Sequence, residues 1–330
     1  MRLPWRFLPF FFGGLRVDMA APAVSKNRAR NLRAAALGKR IFLRSKGRPF
    51  SWAEKSGMLA LAVAGPLLFC APVCAALPLI LFVAACLFAP VFPGWGFFYP
   101  VISHGRRDLR QISLSFDDGP DPVSTPALLA LLRKYSYPAT FFVTGRRARR
   151  YPELIAAILH GGHELGNHSY SHEACIMFRS PAQLAREMAL TQRILARHGV
   201  GPVFFRPPVG VNVPAYAEAL HAGGLEAVNF SCRARDMGNR WIGGLAGRIL
   251  KKVRSGDIVL LHDIAPKVRR DSAASSASTG CADNGAAAAL WLGELERIFA
   301  TLKARQLHVV SLTTLCQCRG MRQHAKEAHD

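Results

Sequence analysis

The sequence predicts an α/β protein: a closed or nearly closed (β/α) barrel, distorted, seven-stranded and TIM-like, preceded by a hydrophobic membrane segment. From residue 107 onward, short apolar β-prone runs alternate with helix-like segments, a pattern typical of βαβ units with parallel strands. The predicted strands are 111–117, 139–144, 163–168, 203–206, 226–231, 257–262 and 307–312. The predicted helices are 124–135, 151–161, 180–198, 212–222, 243–253 and 288–305. In barrels of this kind, functional side chains collect at the C-terminal ends of the strands.

The hydrophobic segment is predicted over residues 57–100. No Asp, Glu, Lys or Arg occurs between Lys55 and Arg106, and a membrane span needs about 20 apolar residues. The segment therefore suffices for one long span or two tight ones. Five prolines argue against one straight helix: Pro66, Pro72, Pro78, Pro90 and Pro93. One span would carry the remainder of the chain across the membrane, which we expect, whereas a hairpin folding near 72–78 would return it.

The flanking regions are basic or of low complexity. About half of the net charge of +22 lies in residues 1–56, which we predict to be a disordered leader that stays cytoplasmic. An amphipathic helix near 28–44 is an alternative for part of it. Residues 271–289 are predicted to be a mobile loop, residues 107–318 the folded domain and 319–330 a polar tail. No nucleic-acid-binding motif is present, so nucleic acid is not an expected partner.

Two adjacent aspartates end the first predicted strand. The apolar run in 111–117 stops at Asp117 and Asp118, which are followed at once by Gly119 and Pro120. Carboxylates held side by side repel each other, and a divalent cation bound by one of them relieves that cost. The alternative is an ordinary solvated turn, since Asp, Gly and Pro are common turn residues.

Two histidines follow the third predicted strand. His168 and His172 are four residues apart, and on a helical turn that spacing places both rings on one face, where they can share a metal ion. The alternative is two unrelated surface histidines.

Further polar residues follow the later strands. Arg206 begins a Pro-rich turn after the fourth strand, Asp236 lies beyond the fifth, and His262 ends the sixth. Their structural alternatives are a tight loop, a helix cap and a hydrogen-bonded histidine, respectively. Since all of these residues are predicted at one rim of a barrel, a shared site is the better interpretation.

These segments, in this order, resemble the polysaccharide deacetylase family with the NodB homology domain, a carbohydrate esterase family 4-like group. The resemblance covers roughly residues 108–316. It rests on SFDDGP at 115–120, HSYSH at 168–172, RPPVG at 206–210 and the Leu-x-His segment at 260–262. The family usually has Asp-Trp in a fourth motif, whereas Asp236 is followed here by Met237.

The resemblance implies a NodB-type barrel with one divalent metal ion, most readily zinc, with cobalt or nickel as alternatives. Its ligands would be Asp118, His168 and His172. Such a donor set leaves coordination positions open for water and substrate.

The resemblance also implies the catalytic roles. Asp117 would be the general base, His262 the general acid, Asp236 its orienting partner and Arg206 the partner of a catalytic carboxylate. Substrate would contact Val209, whose backbone N–H would stabilise the oxyanion, together with Pro208, Leu260 and Met237. Many family members have Tyr where Val209 stands, and Trp241 offers a substitute for the missing Trp.

The expected function is a metal-dependent hydrolase that removes N-acetyl groups from N-acetylhexosamine residues of a polysaccharide such as peptidoglycan, a chitin-like polymer or an exopolysaccharide. We expect it to contact membrane lipid, anchored to a bacterial inner membrane with its catalytic domain periplasmic or extracellular. One alternative is a catalytically idle, glycan-binding relative in a membrane assembly. Another is hydrolysis of a different C–N amide bond, in a ureide or a formyl-amino sugar.

Overall fold

The computed structural model describes residues 50–173, 175–266 and 280–317, with the side chains of 280–284 excepted. Most of the predicted leader, including the amphipathic helix proposed near 28–44, and the polar tail at 319–330 lie outside the described residues.

The hydrophobic segment forms two helices, α1 (Trp52–Cys70) and α2 (Pro72–Phe88), and a 3₁₀ turn at Ala89–Val91 continues the second. Ser51 starts α1 with a capping box: its hydroxyl accepts from Glu54 N at 3.1 Å, and Glu54 accepts from Ser51 N at 2.6 Å. Ala71 leaves the helical region, with φ −153° and ψ 75°, because a residue that precedes a proline is disfavoured in the α region. Both helices are long and apolar enough to cross a membrane.

The two helices pack against each other through small residues. Ala60 and Ala64 of α1 and Ala75 of α2 are buried, and a side chain at Gly57 would lie 3.1 Å from the ring of Phe82. Small residues let helix backbones approach closely in an apolar medium. Most of the large side chains instead point outward; Phe69 at the turn is 91% exposed.

The barrel prediction is confirmed in the form of a curled sheet of parallel strands, a half-barrel. The nine strands in the described residues are β1 (Val101–Ile102), β2 (Gln111–Asp117), β3 (Thr140–Val143), β4 (Glu164–Asn167), β5 (Phe204–Phe205), β6 (Glu226–Val228), β7 (Cys232–Arg233), β8 (Ile258–His262) and β9 (His308–Val309). Their order is β1-β6-β5-β4-β3-β2-β8-β7, and β9 pairs with the start of β2. All seven predicted strands are present. The two-residue strands β1 and β7 were not predicted.

The remaining helices cover the sheet. They are α3 (Ser124–Tyr135), α4 (Gly145–Arg150), α5 (Pro152–His160), α6 (Pro181–Ala196), α7 (Ala215–Gly223), α8 (Leu245–Leu250) and α9 (Gly280–Ala304). The six predicted helices are present, and α4 is an addition. The predicted loop over 271–289 is wrong for residues 280–289, which belong to α9, because its alanines favour a helix.

The register of the central strands fixes the rim at which the polar residues meet. Asp117 ends β2 and is the paired residue of His262 at the end of β8 and of Phe142 in β3. Behind this rim the core is aromatic, with Phe116 stacked on Phe141 at 5.4 Å between ring centroids. The ends of the strands are therefore held in place by a buried, close-packed hydrophobic core.

Candidate active site

The turn after β2 separates the two aspartates. Asp117 is 4% exposed and lies within the strand, whereas Asp118 has a positive φ of 74° that turns its side chain away from the ladder. Asp118 Oδ1 lies 3.1 Å from His172 Nε2 and 3.5 Å from His168 Nε2. Asp118 thus faces both histidines.

Asp118, His168 and His172 form a group that could hold a metal ion. One ligand atom from each lies within 4.8 Å of the others, and the two imidazole centroids are 4.9 Å apart. One carboxylate oxygen and two imidazole nitrogens suit zinc and similar divalent cations. His168 Nδ1 donates to Arg206 O at 2.8 Å, which leaves its Nε2 facing Asp118 and, in the neutral ring, available to a metal. The donor set therefore fits a divalent cation.

The histidines converge through a loop rather than a helical turn, so that part of the prediction is wrong. Ser169 and His172 both have positive φ, 64° and 51°. Buried Glu187 of α6 holds the loop, accepting from Tyr170 N at 3.1 Å, from Ser171 N at 2.8 Å and from Ser171 Oγ at 2.9 Å. Within the loop, hydrogen bonds from backbone N–H groups to side chains replace those of a helix.

The electrostatics of this group depend on burial and on neighbouring charge. Burial alone would raise the pKa of Asp118, but the hydrogen bond with His168 and the charges of His168, His172 and His262 hold it well below its usual range. Burial and the neighbouring His168 lower the pKa of His172. Asp118 is therefore ionised at neutral pH, and His172 favours the neutral form that a metal ligand requires.

Arg206 is fully buried at the centre of the rim. Its Nη1 donates to Asp117 Oδ1 at 2.6 Å and to Ser115 Oγ at 2.8 Å, and its guanidinium lies 4.0 Å from the ring centroid of Phe142. Burial lowers its pKa, an effect partly offset by Asp117, but a guanidinium remains charged. The pair engages Oδ1 of Asp117, and Oδ2 lies 3.8 Å from His168 Nε2.

His262 and Asp236 form a second buried pair at the same rim. His262 Nδ1 donates to Asp236 Oδ2 at 2.8 Å. Burial alone would lower the pKa of His262, but this hydrogen bond and the charges of Asp236, Asp118 and Asp117 raise it to about 9. His262 is therefore protonated at neutral pH. Its Nδ1 proton is in the hydrogen bond to Asp236, and its Nε2 carries a second proton outside that bond.

The remaining predicted residues differ in exposure. Val209 lies in the 3₁₀ turn Pro208–Gly210 with a φ of 58° and is 62% exposed, whereas Pro208 is buried. Leu260 is 8% exposed within β8. Met237 is 57% exposed and Trp241 49%, so neither side chain is buried in this structure.

Three supporting residues were not singled out from the sequence. Asp263 is fully buried and accepts from Ser124 Oγ at 2.9 Å and Thr125 Oγ1 at 2.6 Å, which joins the end of β8 to the start of α3. Asn239 donates to His262 O at 3.1 Å, and Glu187 holds the histidine loop. In the sequence, only the position of Asp263 directly after His262 could have indicated a supporting role. No sequence pattern marks Glu187 or Asn239.

Several known proteins resemble this chain in sequence. A family model described as polysaccharide deacetylase matches residues 104–228. A peptidoglycan-N-acetylglucosamine deacetylase of Bacillus cereus is 37% identical over 156 residues, covering 47% of this chain and 73% of the relative. A chitooligosaccharide deacetylase of Bradyrhizobium is 35% identical over 159 residues, covering 48% of this chain and 72% of the relative.

Solved structures agree with the sequence relatives. A family 4 acetyl xylan esterase from Clostridium thermocellum, determined in complex with a cobalt ion, is 31% identical, with a TM-score of 0.51 over 64% of this chain and 92% of the esterase. The curled parallel sheet, the order of the motifs and the extent of the sequence matches lead to one conclusion: the chain belongs to the polysaccharide deacetylase family.

Proposed function

We propose that this protein is a metal-dependent N-deacetylase that hydrolyses acetamido groups on N-acetylhexosamine residues of a glycan. One observation carries the proposal: the Asp118, His168 and His172 donor atoms lie within 4.8 Å of one another, beside a buried Asp117–Arg206 pair. Relatives named as deacetylases of peptidoglycan and of chitooligosaccharides support the reaction class and the glycan substrate.

The three ligands would hold one divalent cation, zinc in our proposal. When bound, it supplies Lewis acidity to water and to the acetyl carbonyl. The cobalt ion of the esterase structure is consistent with a site that accepts related divalent ions. Metal analysis of the purified full-length chain tests the assignment, with about one zinc per chain expected.

Asp117 would accept the proton of the attacking water through Oδ2, since Arg206 engages Oδ1. Arg206 pairs with one oxygen of this carboxylate and leaves the second oxygen unblocked. On the neighbouring strand end, His262 would donate its Nε2 proton to the departing amine while Asp236 holds Nδ1. The β2–β8 register places the proposed base and acid on adjacent strands.

The substrate side of the site is built from the turn after β5 and from β8. The Val209 backbone N–H would donate to the oxyanion that forms as the carbonyl is attacked. Leu260 would line the space for the acetyl methyl group, with Pro208 beside it. Because Met237 and Val209 are exposed, the outer part of the site is apolar and adjustable, which leaves room for a glycan other than those of the named relatives.

Acetate release tests this function directly. We expect the full-length chain, purified in detergent and supplied with zinc, to release acetate from N-acetylglucosamine oligomers and to stop when a chelator removes the metal. Metal binding without acetate release from any acetylated glycan, alongside retained glycan binding, would favour an idle glycan-binding protein instead. Release of formate or of ureide products would place the reaction on another C–N bond.

We also propose that α1 and α2 enter the membrane as a hairpin and leave both of its ends on one face. Each helix is about 25–30 Å long, close to the thickness of a bilayer core. The turn between them has no charged residue, and its backbone satisfies itself: Ala71 N donates to Leu67 O at 2.8 Å and Cys74 N to Ala71 O at 2.9 Å. Basic residues instead lie toward the open end of the pair, Lys55 near the start of α1 and Arg106 and Arg107 after α2.

This geometry supports the hairpin alternative of the sequence analysis over the expected export through one span. Basic flanks favour the cytoplasmic face, so we place the catalytic domain on the same side as the basic leader. A reporter fused to the C-terminus and a second fused to the N-terminus test this arrangement. We expect both to report the cytoplasm; opposite sides would support a single crossing and an exported domain.

A further inference from the structure

The segment that joins the hairpin to the barrel is docked on the barrel from its first residue. Ala89, directly after α2, is completely buried, and Pro90 O accepts from Asn212 N at 3.4 Å. Pro93 O accepts from Asn212 Nδ2 at 3.1 Å and from Asn229 Nδ2 at 2.8 Å. Hydrophobic contacts extend this docking, since Phe97 and Tyr99 lie in one buried cluster with residues of β5, α6 and α7. No flexible linker therefore separates α2 from the catalytic domain in the part of the chain that the structure describes.

The same asparagines adjoin the candidate active site. Asn229 O accepts from Arg206 Nη2 at 3.3 Å, and Arg206 Nη1 lies 2.6 Å from Asp117 Oδ1. Two side chains therefore separate Pro93 from the proposed base. Asn212 itself lies three residues after Val209, in the loop that would bind substrate.

Exposed aromatic residues surround this junction. Phe92 is 55% and Trp95 40% exposed, and with Pro93 and Gly94 they line one shallow recess. The start of α1 lies at the same end of the helix pair: Trp52 is 66% exposed, and Ala53 N donates to Phe97 O at 2.9 Å. Trp and Phe at the ends of apolar helices favour the interface between lipid and water. The bilayer surface is therefore expected at the level of residues 92–97, beside the loop that carries Val209.

We infer that the substrate is a lipid-linked saccharide, an N-acetylated hexosamine attached to a lipid of the same bilayer, rather than a polymer remote from the membrane. The inference rests on the proposed function. A site that must reach a distant polymer needs a flexible tether, whose reach grows as about 5–6 Å times the square root of its residue number. Here the tether has no free residues, so the site is confined to the membrane surface, where a lipid-linked sugar is concentrated.

A set of matched substrates tests the inference. The full-length chain, with zinc, is reconstituted in phosphatidylcholine vesicles and given an N-acetylglucosamine trimer in three forms. One is free in solution, one is joined directly to a dialkyl lipid in the same vesicles, and one is joined to that lipid through a long polyethylene glycol spacer. We expect acetate release from the directly linked trimer to exceed release from the free and the spaced trimers at least ten-fold at equal bulk concentration.

A lengthened tether supplies the matched variant. Inserting about 20 Gly/Ser residues between Phe88 and Ala89 adds roughly 25 Å of mean reach and leaves the active site unchanged. Ala53→Pro in the same variant removes the hydrogen bond from Ala53 N to Phe97 O, which would otherwise still hold the start of α1 on the docked segment. We expect the variant to cleave the free trimer at the original rate and to lose most of the preference for direct over spaced linkage. Phe92→Ala with Trp95→Ala should weaken the same preference, whereas Leu290→Ala, at an exposed position on α9, should not.

The outcomes separate this inference from the proposed function. Equal rates on free, directly linked and spaced trimers would overturn the lipid-linked substrate and leave the deacetylase standing. No acetate from any of the three, with zinc bound, would overturn the deacetylase on this substrate class. An insertion variant that keeps the original preference would show that the tether does not set it.

Discussion

Arg206 Nη1 lies 2.6 Å from Asp117 Oδ1, and the guanidinium and the carboxylate are both buried at the centre of the sheet rim. A buried pair of this kind has two separable consequences. It engages one oxygen of the proposed base and leaves the other free of Arg206, and it makes each partner dependent on the other for solvation.

The first prediction concerns the base. Asp117→Asn keeps the size and the hydrogen bond from Arg206 but cannot accept a proton. We expect kcat for acetate release to fall by about 10²–10⁴-fold while zinc content stays at the wild-type value. The exposed Asp108→Asn is the matched control and should retain both. Near-wild-type kcat in Asp117→Asn would exclude Asp117 as the base.

The second prediction concerns stability. Arg206→Met removes the cation and leaves Asp117 buried without its partner, which should cost about 3–5 kcal/mol of unfolding free energy. In the double variant with Asp117→Asn, the remaining amide is neutral, so we expect part of this loss to be recovered. Thermal unfolding in detergent, followed by circular dichroism, measures the difference. If Arg206→Met unfolds at the same temperature as the double variant, the buried charge of Asp117 does not depend on Arg206 for its solvation.

Much of this arrangement could be predicted from the sequence, because strand ends are marked by an abrupt change from apolar to polar residues. Asp117, His168, Arg206 and His262 each follow such a change, and parallel topology requires those ends to meet at one rim. The order of the strands around the sheet was not needed for that conclusion.

What could not be predicted depends on contacts between distant segments. The convergence of His168 and His172 relies on Glu187, a residue in the middle of an amphipathic helix with no distinguishing neighbour. The docking of Pro93 on Asn212 and Asn229 joins positions more than 100 residues apart, and neither asparagine belongs to a recognisable pattern. Whether the apolar segment forms one helix or two also depended on the backbone at Ala71, since prolines occur throughout the segment.

The third prediction concerns the metal site. His168→Ala and His172→Ala each remove one nitrogen donor, so we expect less than a tenth of an equivalent of zinc after desalting and no measurable acetate release. Glu187→Gln keeps all three ligands but weakens the acceptor that orders their loop, and should lower zinc affinity about 10–100-fold. The exposed His160→Ala serves as the control. Full zinc occupancy in either His168→Ala or His172→Ala would refute the ligand assignment.

The fourth prediction concerns pH and depends on the His262–Asp236 pair. The pKa of His262 is raised to about 9 from an ordinary value of 6.5, so the stability that the pair contributes is fully present below pH 6.5 and is lost as pH rises through about 9. The proton that His262 donates to the amine is lost over the same range. We therefore expect kcat to fall on the alkaline side, with its midpoint between 6.5 and 9, because a bound divalent cation offsets the negative charge of Asp118.

Asp236→Asn tests this assignment because it removes the hydrogen-bonded carboxylate that most raises the pKa of His262. The alkaline limb of kcat should move at least one pH unit lower, and the loss of thermal stability between pH 6.5 and 9 should become shallower in the metal-free protein. Profiles of kcat and of the unfolding temperature from pH 5 to 10, measured on the same preparations, check both expectations. If the alkaline limb keeps its midpoint in Asp236→Asn, a group other than His262 supplies the proton to the departing amine.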